Sequence, residues 1–591
     1  MAVTGYTVAD YLLDRLHELG VDRVFGVPGD YTLALLDHVV AHPGVAWTGC
    51  ANELNAGYAA DGYARIRGLG AVMTTFGVGE LSALNAVAGA FAEHVPLVEI
   101  VGSPATGSQA AQRIVHHSLG DGVFTHFLDM HAGVTCARAA LTPDDATAEI
   151  DRVLCTVRDE RLPGYLVVPA EVAVAEVDPP DAPLPAAPPE TDQEVLSRFT
   201  EAAGRLLDAH PDGPVAVLGG LLVHRFGATS VLENLVAAGG LRYATTLWGK
   251  SLLDESDPLF AGVYSGAAGD QDARRTVEDA AVTVLAGVQF TDLNSGFFSQ
   301  HLDRARTVEI DAEMSSVGDE LFAPLRLVDA LQALVPLVTA IAGGRVPAEL
   351  GDPAATGATG STGGPATGGS GRGDATAHRS PAAGTATDDD AADAAPLGQQ
   401  TLWDTVAAAL RTGDIVLADQ GTSFYGMATH RLPRGVTFLG QPLWASIGYT
   451  LPALLGATLA APGRRGVLLI GDGAAQMTVQ ELGTLFALGV PAVVLVVDND
   501  GYTVERAIHG PKQPYNDIPR WDWSRAGDFF GPGRPSRSSR VTTVGALREA
   551  LAAAEGSTDT VTVIQAAVPP LDVPPLLTSI AQAAALANSR R

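Results

Sequence analysis

Residues 467–505 read VLLIGDGAAQMTVQELGTLFALGVPAVVLVVDNDGYTVE, two apolar runs that each stop at a polar tip, GDG after the first and DNDG after the second. Four to six aliphatic residues bounded by turn residues read as a buried strand, and the stretch between them, with Gln480, Leu482, Leu485 and Phe486, reads as a helix. Strand, helix and strand in that order make a βαβ unit, so both polar tips emerge at the same edge of a parallel sheet. Asp472 and Asn499, with a backbone carbonyl at Gly501, can then share one hard cation, and Mg2+ with its oxygen preference suits them. Gly471 and Gly473 leave room for a phosphate group to approach the backbone at the start of the helix. GDG alone is ordinarily a tight turn, and Asn-Asp-Gly alone marks turns as well. Their pairing one βαβ unit apart is what carries the metal reading.

The same alternation extends over the chain. Apolar runs at 23–27, 71–75, 97–102 and 165–168, at 215–218, 282–286 and 307–310, and at 415–418, 467–470, 493–497 and 561–564 are separated by helical patterns. They predict an α/β protein of three doubly wound parallel-sheet domains, over 1–176, 190–342 and 397–591. The Pro-rich stretch 177–189 is expected to be a stiff, extended linker. Residues 343–396, made of Ala, Gly, Thr, Ser, Pro and Asp without an aromatic residue, are expected to be a disordered low-complexity linker.

Composition narrows the function. The 591 residues carry 37 Lys+Arg against 67 Asp+Glu, a net charge of −30, and such a surface lacks the basic footprint of a nucleic-acid binder. No apolar run approaches the roughly 20 residues of a membrane-spanning helix. The chain opens without the basic start and apolar core of a signal peptide. Cys50, Cys136 and Cys155 have neither disulfide-framework nor zinc spacing. A cytoplasmic protein without membrane partners is expected.

GDG followed one βαβ unit later by Asn resembles the diphosphate-binding motif of thiamine-diphosphate enzymes. The stretch NELNAGYAADGYAR at 52–65 resembles the same family, in which the carboxylate corresponding to Glu53 hydrogen-bonds the aminopyrimidine ring. On residues alone, Glu53 is equally a helix-start acid. TFGVGELS, from Thr75 through Gly79 to Ser82, resembles the loop beside the pyrimidine. QPLWASIG at 441–448 resembles the segment whose carbonyl, here that of Ala445, accepts from the cofactor's amino group, with Ile447 as the wedge that bends the cofactor. Relatives often have Gly where this chain has Ala445. The resemblance implies thiamine diphosphate and Mg2+ as cofactors, held by Asp472, Asn499 and Gly501. It also implies a homodimer at minimum, because the first domain of one chain meets the third of another, and a homotetramer as the expected assembly.

Asp30 in GVPGDY, His116 and His117 in IVHHSLG, and Glu505 in GYTVE are each unremarkable as a turn residue, loop histidines and a helix-start acid. Together they resemble the acid–base constellation of the pyruvate and indolepyruvate decarboxylases. That resemblance implies non-oxidative decarboxylation of a 2-oxo acid to an aldehyde and CO2 through a thiamine-diphosphate ylide and enamine. DQGTSFY at 419–425 resembles enzymes acting on indolepyruvate, phenylpyruvate and branched-chain acids such as 2-oxoisovalerate. Gln420, Phe424, Tyr425 and, from the middle domain, Leu293 are therefore the expected substrate-pocket residues. An acetolactate-synthase-like carboligase and a non-catalytic binding protein on the same fold are the alternatives; the His pair argues against the first, and the presence of Glu53 and Asp472 against the second.

Overall fold

The computed structural model describes residues 5–186, 191–344, 392–556 and 559–589. Three sheets, mostly parallel and flanked by helices, form an α/β architecture. The first contains β1 (Arg23–Gly26), β2 (Ala46–Gly49), β3 (Gly70–Thr75), β4 (Leu97–Ser103), β5 (Ala137–Ala140) and β6 (Gly164–Pro169), in the order β2-β1-β3-β4-β6-β5. The second contains β7 (Val215–Gly219), β8 (Arg242–Thr246), β9 (Phe260–Tyr264), β10 (Val282–Ala286), β11 (Thr307–Ile310), β12 (Ser315–Val317) and β13 (Glu320–Phe322), in the order β13-β12-β11-β10-β7-β8-β9. Its β12 and β13 are antiparallel. The third contains β14 (Ile415–Ala418), β15 (Thr437–Leu439), β16 (Gly466–Gly471), β17 (Ala492–Asp498), β18 (Ser536–Val541) and β19 (Val561–Ala567), in the order β15-β14-β16-β17-β19-β18.

Renumbered from its own first strand, the third sheet has the strand order of the first. Both therefore change winding direction between their first and third strands, at β1/β3 and β14/β16, and it is at such a switch point that an open α/β sheet forms a binding crevice. Every residue of β3, β4 and β6 is buried, as sheets covered on both faces require.

The first and third domains meet through helices Glu53–Arg67 and Thr450–Ala460. Small residues set the approach: a Cβ on Gly456 would lie 1.7 Å from the Ala59 carbonyl oxygen, and one on Gly62 would lie 2.3 Å from that of Ala453. Beside this contact, buried Arg65 pairs with Asp61 at 2.6 Å and Glu93 at 2.9 Å, and the Tyr449 hydroxyl donates to Asp61 at 2.5 Å.

The linker expectations need one correction. Residues 345–391 lie outside the described residues, but Ala392–Pro396 is held on the third domain: the Val544 amide donates to the Ala395 carbonyl at 3.0 Å and Asp393 pairs with Arg548 at 2.5 Å. A backbone bridge and an ion pair fix this segment despite its composition. Of the Pro-rich stretch, 177–186 is described. It is pinned to the first domain, with Arg15 donating to the Ala182 carbonyl at 2.8 Å and the Leu184 amide to Glu18 at 2.6 Å.

Candidate active site

Strand β16 ends at Gly471, and Asp472 begins the helix Asp472–Thr478, which breaks before a second helix, Glu481–Leu488. Strand β17 ends at Asp498, so Asn499 and Gly501 emerge beside Asp472. Asp472 and Asn499 are both buried. Asp472 accepts from the Gly473 amide at 2.7 Å and the Gly501 amide at 3.2 Å. Burial pushes its carboxyl up to about 6, against the pull of those amides, and a divalent cation would hold it ionised.

The Asn499 side-chain oxygen lies 3.0 Å from the Gly501 carbonyl oxygen and 3.2 Å from Asp472 Oδ1, with no donor between them. Two arrangements relieve three facing acceptors. A rotated amide would donate to both and accept from Thr503 Oγ1 at 3.1 Å, whereas a cation would bind all three oxygens. Adjacent oxygens around an octahedral Mg2+ with bonds of about 2.05 Å are roughly 2.9 Å apart, so the observed spacing fits that ion with little movement. Above Gly471 the space is open: a Cβ there would touch nothing within 4 Å. Gly473, by contrast, is packed on the Tyr502 ring, 2.7 Å from where its Cβ would stand. The donor set and the open glycine fit a Mg2+-bound diphosphate.

In segment 441–448, Ala445 has φ +58°, in the left-handed region where glycine is the unstrained choice, and its amide donates to the Gln441 carbonyl at 2.8 Å. The segment is tied to the first domain by Ser446 Oγ on Tyr58 Oη at 2.6 Å and by Trp444 Nε1 donating to Asn85 Oδ1 at 2.8 Å. Ile447 is half-buried. Fully buried Asp419, after β14, accepts from Gly448 and Thr450.

A second cluster stands at the matching edge of the first domain. Glu53 opens its helix, whose N-cap is Asn52, and its Oε1 lies 3.4 Å from where a Cβ on Gly79 would be. Thr75, at the end of β3, packs between Gly29 and Gly79, and its buried hydroxyl has no hydrogen-bond partner. After β1, Asp30 Oδ2 lies 2.7 Å from His116 Nε2, and Oδ1 lies 4.0 Å from His117 Nε2. One carboxylate thus faces both imidazoles. The Tyr31 ring stacks on His116 with centroids 4.9 Å apart and planes within 14°.

Not all expected residues touch directly, although Ala51 and Asn55, on either side of Glu53, donate to Glu481 in the helix after Asp472 at 3.2 and 3.0 Å. Among the described residues, no hydrogen bond, ion pair or ring contact joins exposed Glu505 to Asp30, His116 or His117, or Glu53 to the Asp472 cluster. Gln420 donates to the Tyr425 hydroxyl at 2.9 Å and leaves its own buried oxygen unpartnered, and the charge of Asp292 acts on Tyr425. Leu293 packs against the same core. Phe424 is buried against Phe438 and Gly440. Two residues of the site escaped sequence reasoning. Tyr31 is signalled only by its adjacency to Asp30, and Thr503 only by standing one helical turn past Asn499.

Three family models match the chain and, with this site, define its class: the thiamine pyrophosphate enzyme N-terminal TPP binding domain over residues 6–127, the central domain over 200–337, and the C-terminal TPP binding domain over 419–566. Proteins named alpha-keto-acid decarboxylase match almost end to end. That of Mycobacterium tuberculosis is 52% identical, covering 97% of this chain and 96% of the relative. That of Mycobacterium ulcerans is 52% identical over 97% and 95%, and that of Mycobacterium leprae 50% identical over 99% and 96%. The chain belongs to the thiamine-pyrophosphate-dependent 2-oxo acid decarboxylase family. No helix among the described residues is long and apolar enough to cross a membrane.

Proposed function

We propose that the protein decarboxylates a 2-oxo acid with an aromatic or branched side chain, such as indolepyruvate, phenylpyruvate or 2-oxoisovalerate, and releases the aldehyde. The observation that carries this reading is the Asp30 carboxylate facing both His116 and His117, at the sheet edge that also bears Glu53. A carboligase needs no such proton relay, whereas release of an aldehyde requires a proton delivered to carbon.

Asp472, Asn499 and the Gly501 carbonyl would hold Mg2+, with the diphosphate over Gly471 and the pyrimidine beside Thr75 and Gly79. When bound, thiamine diphosphate supplies an electron sink for the carbon that loses CO2. Glu53 would hydrogen-bond the pyrimidine ring, the Ala445 carbonyl would accept from its amino group, and Ile447 would pack against the cofactor. Glu505 would stand by the substrate carboxylate as an acid–base group. His117 and His116, oriented by Asp30, carry the proton that completes the aldehyde. Gln420, Phe424, Tyr425 and Leu293 would line the side-chain pocket, with the unpartnered Gln420 oxygen free to accept from a polar substrate edge.

A second copy of the chain completes the site in this reading. Its support is the apolar surface beside each cluster: Ile114 and Leu119 are 75% and 57% exposed next to the His pair, and Met477 is 56% exposed on the Asp472 helix. The assembly is then a homodimer at minimum, with a homotetramer implied by family resemblance. Three free thiols favour a reducing, cytoplasmic location.

The test is turnover of a 2-oxo acid panel by purified protein with Mg2+ and thiamine diphosphate. Aldehyde from the aromatic or branched members supports the reading. Aldehyde from pyruvate alone removes the substrate assignment, and no turnover removes the activity.

A further inference from the structure

Beneath the His116–His117 loop lies a group of polar side chains with no place in the chemistry above. Glu80, Glu99, His131, Tyr165 and Thr74 are all 0% exposed, inside a domain whose other buried positions are overwhelmingly apolar. Glu80 Oε1 accepts from the Gly77 amide at 2.6 Å, and the Tyr165 hydroxyl donates to Glu80 Oε2. The Tyr165 ring stacks on His131, centroids 4.2 Å apart. His131 Nε2 lies 3.1 Å from Glu99 Oε2, and Glu99 Oε1 accepts from Thr74 at 3.2 Å. His131 Nδ1 lies 2.7 Å from the Phe127 carbonyl oxygen.

Both ends of this network bear on the catalytic loop. Gly77, held by Glu80, has φ +68°, and a Cβ there would stand 2.0 Å from the His117 carbonyl oxygen and 3.1 Å from the Phe127 ring. His117 itself has φ +64°, a conformation that a non-glycine residue keeps only where its surroundings impose it. Gly77 is therefore the floor on which His117 rests, and Phe127, tied to His131, closes the loop's far end. Capping the helix Val78–Ala92 would account for Glu80 alone. It does not account for Tyr165, His131 and Glu99, three more buried polar groups that cost stability unless they are held together.

We propose that Glu80 is a positioning residue for His117: through the Gly77 amide it fixes the backbone under the His pair, while Tyr165, His131 and Glu99 hold Glu80 and the far end of the loop. The inference rests on the reading of His117 as a proton carrier. The electrostatics agree with it. Burial, reinforced by Glu99, pushes the Glu80 carboxyl up to about 7; burial works against a charge on His131, but the neighbouring Glu99 outweighs it and holds the imidazole above its ordinary value.

The experiment compares Glu80→Ala, Glu80→Gln, Tyr165→Phe and His117→Ala as full-length holoenzymes, measuring kcat and KM for phenylpyruvate and thiamine diphosphate affinity. Hydrogen exchange over residues 111–131 is followed without cofactor. Glu80→Ala is expected to lower kcat by about 10- to 100-fold, with KM and cofactor affinity within about threefold, since small displacements of a reacting group cost rate more than binding. Exchange should accelerate in the 111–131 loop. Glu80→Gln, whose amide oxygen still accepts from Gly77, should recover part of the rate, and Tyr165→Phe should fall between; these two carry the test if Glu80→Ala does not fold. Unchanged kcat and loop exchange in Glu80→Ala would overturn the proposal, as would equal loss of kcat and cofactor affinity in both Glu80 variants. Full aldehyde release by His117→Ala would instead overturn the parent reading, which separates the two failures.

Discussion

The Asn499 side-chain amide and Asp472 face each other 3.2 Å apart, with the Gly501 carbonyl 3.0 Å from the same amide. Either the amide nitrogen donates to both oxygens or the amide oxygen joins them around a cation, and the strand ends that hold these groups come from adjacent strands β16 and β17. Asp472→Ala should therefore weaken Mg2+-dependent retention of thiamine diphosphate by at least about 100-fold, because loss of a direct ligand exceeds the 10–100-fold typical of outer-shell partners. Cofactor titration with Mg2+ and with EDTA measures this. Equal affinity in both conditions would show that the triangle holds no cation.

Ala51 and Asn55, on either side of Glu53, donate to Glu481 of the same chain at 3.2 and 3.0 Å, while in the proposed function Glu53 of one chain acts on cofactor held by Asp472 of another. Glu53→Gln and Asp472→Ala should each be inactive, by about 100-fold or more for the former. Mixed dimers of the two should regain activity, because one of their two sites is built from an intact first domain and an intact third domain. Absence of complementation in verified mixed dimers would place the whole site in one chain.

Ala445 at φ +58° pays for a conformation that glycine adopts freely. Left-handed backbone costs a non-glycine residue about 1–2 kcal/mol, and glycine's greater freedom in the unfolded chain returns about 0.5–1 kcal/mol of that. Ala445→Gly should be stabilising by about 0.5–1 kcal/mol, read as a higher Tm in the cofactor-free protein. A lower Tm would mean that the methyl packs well enough to offset the strain.

Asp419 gives a pH dependence of stability. Burial lifts its carboxyl from 3.8 to about 6, although Thr450 and Gly448 donate to it. The folded protein thus holds the proton more tightly than the unfolded chain, so the cost of ionising Asp419 is absent below about pH 3.8 and complete above about pH 6, where it amounts to about 3 kcal/mol. Asp419→Asn removes that dependence. Whatever its uniform effect, Tm of the variant relative to wild type should rise as pH is raised from about 4 to about 7, and a pH-independent difference would show that Asp419 is not shifted.

Central strands, glycine turns and the two polar tips were legible because each rests on local chemistry: an apolar run buried on both faces, or a Gly-Asp-Gly that must turn. Edge strands were not. Ser536–Val541 is SRSSRV and Ala137–Ala140 is ARAA, half-exposed pieces that carry no apolar run and become strands only by pairing with β19 and β6. The shared strand order of the first and third domains was equally hidden, since topology depends on which strands pair. Within the site, the metal-type triangle and the Asp30–His pair were readable from sequence spacing and resemblance. The Glu80–Tyr165–His131–Glu99 network was invisible because its members are scattered over a long stretch and each is commonplace alone.

How the reaction ends distinguishes a decarboxylase from a carboligase or an oxidase. The most direct measurement follows CO2, free aldehyde and 2-oxo acid together in one reaction of the Mg2+- and thiamine diphosphate-loaded protein with phenylpyruvate or a branched-chain acid. One CO2 and one free aldehyde for each acid consumed is the expected result. CO2 accompanied by a condensed hydroxyketone or by a carboxylic acid in place of the aldehyde would contradict it.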